Sequence, residues 1–408
     1  MQKILFIGAV WPEPKSSAGG TRLMQLLNLF LKNNWQVTYA SATAESEFAE
    51  DIQSLGIDQK SIELNNESFN AFVKELNPEV VIFDRFTMEE QFGWRVAEAC
   101  PNALRIIETI DLHCLRLCRQ QVLKTKENLI DTLLSADISK REMASMYRSD
   151  LNLIISDAEM DWLKDVFKFN KDLLFYLPYK IQNESIVWSE LPGYESRQDF
   201  VTIGNFKHEP NWDSVRYLKE KIWPLILKKM PNVQLKVYGS YASQKVEQLH
   251  NPKEGFYIMG RAEDALEVMK NARVCLAPLR FGAGIKGKLA EAMLCGTPSI
   301  TSEVGVEGLK GGMLWNGFVT EDAQEFADQA IAFYQNKTEW EQAQQNGFNI
   351  LKSRFSDMSA EKDLVKKIAE LQNNLSKHRQ TNFIGSMLMH HSIQSTKYLS
   401  KWIEEKNK

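Results

Sequence analysis

The run Phe281-Gly282-Ala283-Gly284-Ile285-Lys286-Gly287-Lys288-Leu289-Ala290-Glu291 sets glycines, a lysine and a carboxylate where an anion can be held. It follows an apolar, strand-like stretch at 274–278 and leads into a helix-like segment that closes near Gly296-Thr297-Pro298. Glycine lets backbone N–H groups approach an anion, a helix N-terminus adds partial positive charge, and Lys286 supplies a full one. Glu291, one turn further on, can accept hydrogen bonds from sugar hydroxyls. The combination predicts a nucleotide-linked sugar as ligand.

Two shorter patterns overlap this loop. Gly282, Gly284 and Gly287 spell G-x-G-x-x-G with Glu303 downstream, which keeps an NAD(P)-dependent oxidoreductase open. Gly282 to Lys288 also spells G-x-x-x-x-G-K, but Leu289 has no hydroxyl to hold magnesium, which argues against a P-loop nucleotidase. Elsewhere His113 lies beside Cys114, near Asp111 and Cys118. It is a candidate catalytic histidine; zinc ligation there lacks a fourth ligand at a suitable spacing. Trp11 and Trp94 are candidates for an acceptor groove or for buried packing.

These residues need elements to position them. A chain of 408 residues predicts two domains of roughly 200 residues each. With 44% hydrophobic and 25% charged residues it reads as a folded protein, and its net charge of −4 gives no reason to expect nucleic acid as partner. Five cysteines, an odd number without paired short spacings, predict reduced thiols and a cytoplasmic setting. The apolar run at 4–8 is too short for a signal sequence or a membrane span.

Strand patterns at 3–8, 35–40, 80–84, 104–109, 151–156 and 173–177 alternate with helical ones, such as 21–33. After a polar stretch at 191–199, read as a linker, a second series follows: strands at 200–204, 233–239, 255–260, 274–278 and 299–302, with helices at 212–230 and 263–271. The expectation is α/β, two facing Rossmann-like domains with a cleft between them, spanning 1–190 and 198–356. A helical segment, 357–408, follows. In it Ile384, Leu388, His391, Ser395, Tyr398 and Trp402 fall on one stripe flanked by Lys397, Lys401 and Lys406. That stripe predicts a helix packed across the body, or one meeting the inner membrane face or another subunit.

The second series resembles the retaining glycosyltransferases of the GT-B fold called group 1 or family four. The resemblance rests on residues 200–206 with Glu209-Pro210-Asn211, on Val237-Tyr238-Gly239, and on Ile258-Met259-Gly260-Arg261. Its strongest part runs from Pro278 through Lys286, Glu291 and Gly296-Thr297-Pro298 to Gly308. The first half is similar more loosely, through Gly19-Gly20 and the segment from Asp111 to Arg116.

The resemblance implies transfer from a nucleotide-diphosphate sugar to a glycan, glycolipid or protein acceptor, with retention and with neither metal nor other cofactor. Glu291 would hold the ribose hydroxyls; Lys286 and the backbone around Gly282, Ala283, Gly284 and Ile285 would meet the diphosphate. Arg261 and Gly239 would contact base and ribose, Glu303 and Gly305 would border the nucleotide or sugar, and His113 would approach the donor sugar. Gly19 and Gly20 would bring the acceptor-side loop close to the phosphate. Two departures stand out. Relatives often carry a glutamate where this chain has Ala283, and an arginine–lysine pair where it has Gly204-Asn205-Phe206-Lys207. Asn205 and Lys207 therefore join the donor-binding candidates, and Lys207 and Arg280 compete with Lys286 for the diphosphate. A GT-B module kept only for binding or assembly is the remaining alternative.

Overall fold

Val80–Asp84 is buried along its whole length, with apolar residues on both faces, and such a strand needs helices above and below it. In the computed structural model it lies inside a parallel sheet of seven strands: β1 (Lys3–Gly8), β2 (Gln36–Ser41), β3 (Asp58–Ser61), β4 (Val80–Asp84), β5 (Leu104–Glu108), β6 (Leu151–Ile154) and β7 (Leu174–Tyr176). Their order is β3-β2-β1-β4-β5-β6-β7. A second parallel sheet joins β8 (Gln198–Ile203), β9 (Leu235–Tyr238), β10 (Phe256–Gly260), β11 (Ala272–Ala277), β12 (Ser299–Thr301) and β13 (Gly317–Val319), in the order β10-β9-β8-β11-β12-β13. The structure describes residues 1–181, 186–357 and 359–406, without the side chains of 391–394, so His391 lies outside the described residues.

In each sheet the strand order reverses once, between β1 and β4 and between β8 and β11, and ligands of such sheets collect beyond the carboxyl ends at that point. Two strands escaped the sequence pattern. β3, Asp-Gln-Lys-Ser, is a largely exposed edge strand, and β13 has only three residues. The helix expected at 212–230 is instead Glu209–Tyr217, a π-helical turn at Leu218–Ile222, and Trp223–Lys229. Pro224 has no N–H to continue the ladder, which accounts for the break.

The tail returns to the first domain. Leu364, Ile368 and Leu371 of the helix Ser359–Asn373 are buried in one cluster with Ile4, Phe6 and Leu27. Further on, the Arg379 guanidinium donates to both Asp150 carboxylate oxygens at 2.8 Å and to the carbonyl of Ala103 at 2.7 Å. Arg95 donates to Ser400 Oγ at 2.9 Å and pairs with Glu404. The outward side of Phe383–Lys406 leaves Phe383, Met387, Tyr398 and Trp402 exposed. Among the described residues no helix is long and apolar enough to cross a membrane.

Because Ile368 completes the core of the first domain, Ile368→Ala should destabilise it by about 3 kcal/mol in denaturant unfolding. Exposed Lys362→Ala on the same helix should stay within about 0.5 kcal/mol of wild type.

Candidate active site

The loops leaving β1, β4, β5 and β6 face those leaving β8, β9, β10 and β11. Gly19 and Gly20 open the helix Ala18–Lys32, whose cap is Ser17 Oγ accepting from the Gly20 N–H at 3.0 Å. Directly opposite begins the helix Gly287–Leu294: a Cβ added at Gly287 would lie 2.7 Å from the Ala18 Cβ. Two positive helix ends thus meet across the cleft.

Beside them the two domains touch. Gly284 has φ +63°, and a Cβ there would lie 2.9 Å from both Asp111 Cβ and the Ile110 carbonyl oxygen. The partner loop is strained too, since Ile110, a β-branched residue, sits at φ +60°. Burial would raise the Asp111 carboxyl, but Arg116 (Nε to Oδ2, 2.7 Å) and His113 (Nε2 to Oδ1, 3.2 Å) hold it well below the usual carboxylate range. His113 and Cys114 donate their backbone N–H groups to the Glu142 carboxylate at 3.0 and 2.7 Å, which fixes the start of the helix His113–Thr125. Further along it, Arg119 reaches into the second domain, donating to the Gly282 carbonyl at 2.8 Å and to both Glu307 oxygens at 2.7 and 2.5 Å.

The two lysines of the glycine loop part company. Lys286 turns into this seam: its ammonium donates to the Gly284 carbonyl at 2.9 Å and lies 3.9 Å from Glu307. Burial pushes its pKa down to about 8 against the pull of Glu307. Lys288 instead donates to Asn211 Oδ1 at 2.8 Å, and Asn211 Nδ2 donates to the Asn205 carbonyl at 2.9 Å, so the loops after β8 and β11 are tied together. Desolvation brings Lys288 down to about 8, with Cys275 and Glu291 opposing. Desolvation likewise lifts the Glu291 carboxyl to about 7, Lys288 opposing and Asp264 adding to it.

At the far end of the cleft Gly239 packs against Gly204 and Phe206. Tyr241, at φ +60°, donates to Glu13 Oε1 of the first domain at 2.7 Å. Lys207 sits 3.4 Å over the Tyr241 ring, and the Arg261 guanidinium lies 4.6 Å over Phe48, again of the first domain.

Most residues singled out in the sequence therefore collect along one cleft, while others are committed elsewhere. Arg280 is paired with Asp213 and stacked 4.7 Å over Tyr217. Glu303 is exposed and gives its N–H to Glu321 at 2.9 Å; Gly305 packs against Thr301. Ala283 packs on the apolar cluster of Leu112 and Leu115, Ile285 on that of Val306 and Leu309. Trp11 and Trp94 are buried, Trp11 donating to the Thr43 carbonyl at 2.7 Å, so neither lines a groove. Cys114 and Cys118 face the core; among the described residues no three His, Cys, Asp or Glu side chains gather as a metal site. The G-x-G-x-x-G run is no tight dinucleotide turn, because residues 278–286 intervene between β11 and the helix at Gly287.

Sequence reasoning passed over Lys288, although it ends the G-x-x-x-x-G-K run, and Asp111 and Arg116, although they flank His113. Arg119, Glu142 and Glu159 carry no local signal, since their partners lie in distant segments.

Residues 197–336 match the family of group 1 glycosyl transferases. No curated protein gives a significant sequence match. Among solved structures, sucrose-phosphate synthase from Thermosynechococcus elongatus is similar with a TM-score of 0.66 at 17% identity, over 91% of this chain and 99% of that one. TarM of S. aureus, solved with UDP, gives 0.66 at 10% identity over 91% and 100%. HepE of Anabaena, solved with UDP-glucose, gives 0.63 at 13% identity over 91% and 100%. At these identities the likeness is one of fold, and the fold is GT-B.

Two outcomes follow from the geometry. Gly284→Ala places a methyl group between the two domains and should lower turnover at least about tenfold, read in steady-state kinetics. Lys288 is charged only below about 8 and Glu291 only above about 7. A plot of kcat/KM against pH should therefore rise through about 7 and fall through about 8, and Glu291→Gln should remove the acid limb.

Proposed function

We infer that this GT-B chain, whose residues 197–336 match the group 1 glycosyl transferases, is a glycosyltransferase that uses a nucleotide-diphosphate sugar, retains the anomeric configuration and needs no metal ion. The observation that carries this reading is the pair of helix N-termini meeting at Ala18 and Gly287, with Lys288 beside them. Such a place suits a diphosphate, whose charge would meet two dipole ends and one ammonium.

As the bond from the sugar to the diphosphate breaks, positive charge grows on the ring and negative charge on the leaving oxygen. Lys288 and the two helix ends stabilise the latter, which is the work a metal ion does in other sites. Glu291, on the helix that begins at the diphosphate, takes the ribose hydroxyls. Arg261, Tyr241 and Phe48 offer cationic and aromatic surface to the base. His113, steadied by Asp111, faces the donor sugar from the first domain, the side from which a glycan, glycolipid or protein hydroxyl approaches. Lys286, turned into the seam, supports the loop; Lys207 remains near the base.

The structures of TarM and HepE contain UDP and UDP-glucose, so UDP-sugars head the donor panel, with GDP-, ADP- and dTDP-sugars and NAD(P) beside them. A donor at a hundredfold over its Kd should raise stability by about 2.7 kcal/mol. A shift with NAD(P) alone would overturn the reading. Lys288→Ala should cut kcat at least about a hundredfold with the fold intact. Wild-type turnover in Lys288→Ala together with its loss in Lys286→Ala would move the diphosphate role to Lys286.

A further inference from the structure

Glu159 is a buried acid that the proposed chemistry does not use. It stands on the short helix Asp157–Asp161 after β6 and is 2% exposed. One of its oxygens, Oε1, accepts two backbone N–H groups, from Leu112 and from Gly284, each at 2.8 Å. Leu112 directly precedes His113 in the first domain; Gly284 lies in the glycine loop of the second. The other oxygen, Oε2, is buried and has no hydrogen-bond partner among the described residues.

One side chain thus holds two catalytic loops that are 172 positions apart in sequence (284 − 112). Its helix is itself docked on the second domain, since Arg354 donates to Asp157 Oδ2 at 2.5 Å. Gly308 leaves room for Ser156, whose Cβ would be 3.1 Å from a Cβ at that position. The charged groups acting on Glu159 are Asp111 from the loop after β5 and Lys286 from the glycine loop, with Arg116 beyond Asp111. Burial first, then Asp111, lifts the Glu159 carboxyl to about 8. The two amide donors on Oε1 and the Lys286 ammonium pull the other way.

We propose that Glu159 is a positioning residue, whose one oxygen sets the Asp111–His113 loop against the glycine loop so that histidine and diphosphate site face each other at the reacting distance. This rests on the glycosyl-transfer reading above. A misplacement of about 1 Å between such groups is enough to cost about a hundredfold in rate.

The test compares Glu159→Gln and Glu159→Ala in the full chain, by steady-state kinetics and by amide hydrogen exchange. Glutamine keeps an acceptor oxygen at the same reach, so kcat should stay within about threefold of wild type. Alanine bares both amides. Exchange at Leu112 and Gly284 should then quicken together while β4 and β8 stay protected. In that variant kcat should fall at least about tenfold with donor KM little changed, since the donor contacts lie mainly in the second domain. Should the alanine variant fail to fold, Glu159→Asp, too short to span both amides, is read in the same way. Unchanged exchange at the two amides, wild-type kcat in the alanine variant, or equal loss in the glutamine variant would each overturn the proposal. If instead the wild-type chain turns over no nucleotide sugar, the transfer reading fails, whereas the exchange experiment still reports whether the bridge exists.

Discussion

The structure depends on a close approach of backbone to backbone. For the loop of Gly284 to lie against the loop of Ile110 and Asp111, no side chain can stand between them, and both loops adopt positive φ values to achieve it. Polar groups are then buried at the contact, and each needs a partner. Arg119 takes the Gly282 carbonyl, Lys286 the Gly284 carbonyl and Glu159 the Gly284 amide. Charge is balanced across the seam by Glu307 against Arg119, and within the first domain Arg116 offsets Asp111. The facing helix ends lie in the same cleft, with Lys288 buried beside them and tied to Asn211.

Much of this was legible in the residues. Buried parallel strands are apolar on both faces, so β1, β4, β5 and β6 announce themselves, and their alternation with helices points to paired α/β domains. The glycine loop and Glu291 stand out in the sequence as a candidate site, because glycines and a cation within a few positions of a helix start form an anion-binding pattern. Edge strand β3 is mostly exposed and polar, so no hydrophobic period marks it.

What stayed hidden was interaction at long range. Nothing near Glu159 in sequence says that its carboxyl will receive an amide 125 positions away, and nothing near Arg119 foretells Glu307. Lysine identity is a subtler case: Lys286 and Lys288 are two residues apart, yet the first turns inward and the second toward Asn211. Position at the start of a helix decides this, since Gly287 begins the turn and the residues on either side of it leave the axis in different directions. Tryptophan left two readings open, a groove or the core, and the structure takes the second. Its polar tip suggests a binding surface, but one carbonyl is enough to satisfy Trp11 inside the core.

The return of the tail has a consequence for how the molecule comes into being. Leu364, Ile368 and Leu371 fill the same apolar cluster as Ile4 and Phe6, although more than 350 residues of chain separate the two groups (364 − 6 = 358). During synthesis the first sheet therefore emerges with part of its core uncovered, while the second domain has its strands and helices before residues 359–373 are made. The domain translated first is the one completed last. A chain without the helix Ser359–Asn373 would leave the apolar surface around Ile4, Phe6 and Leu27 exposed.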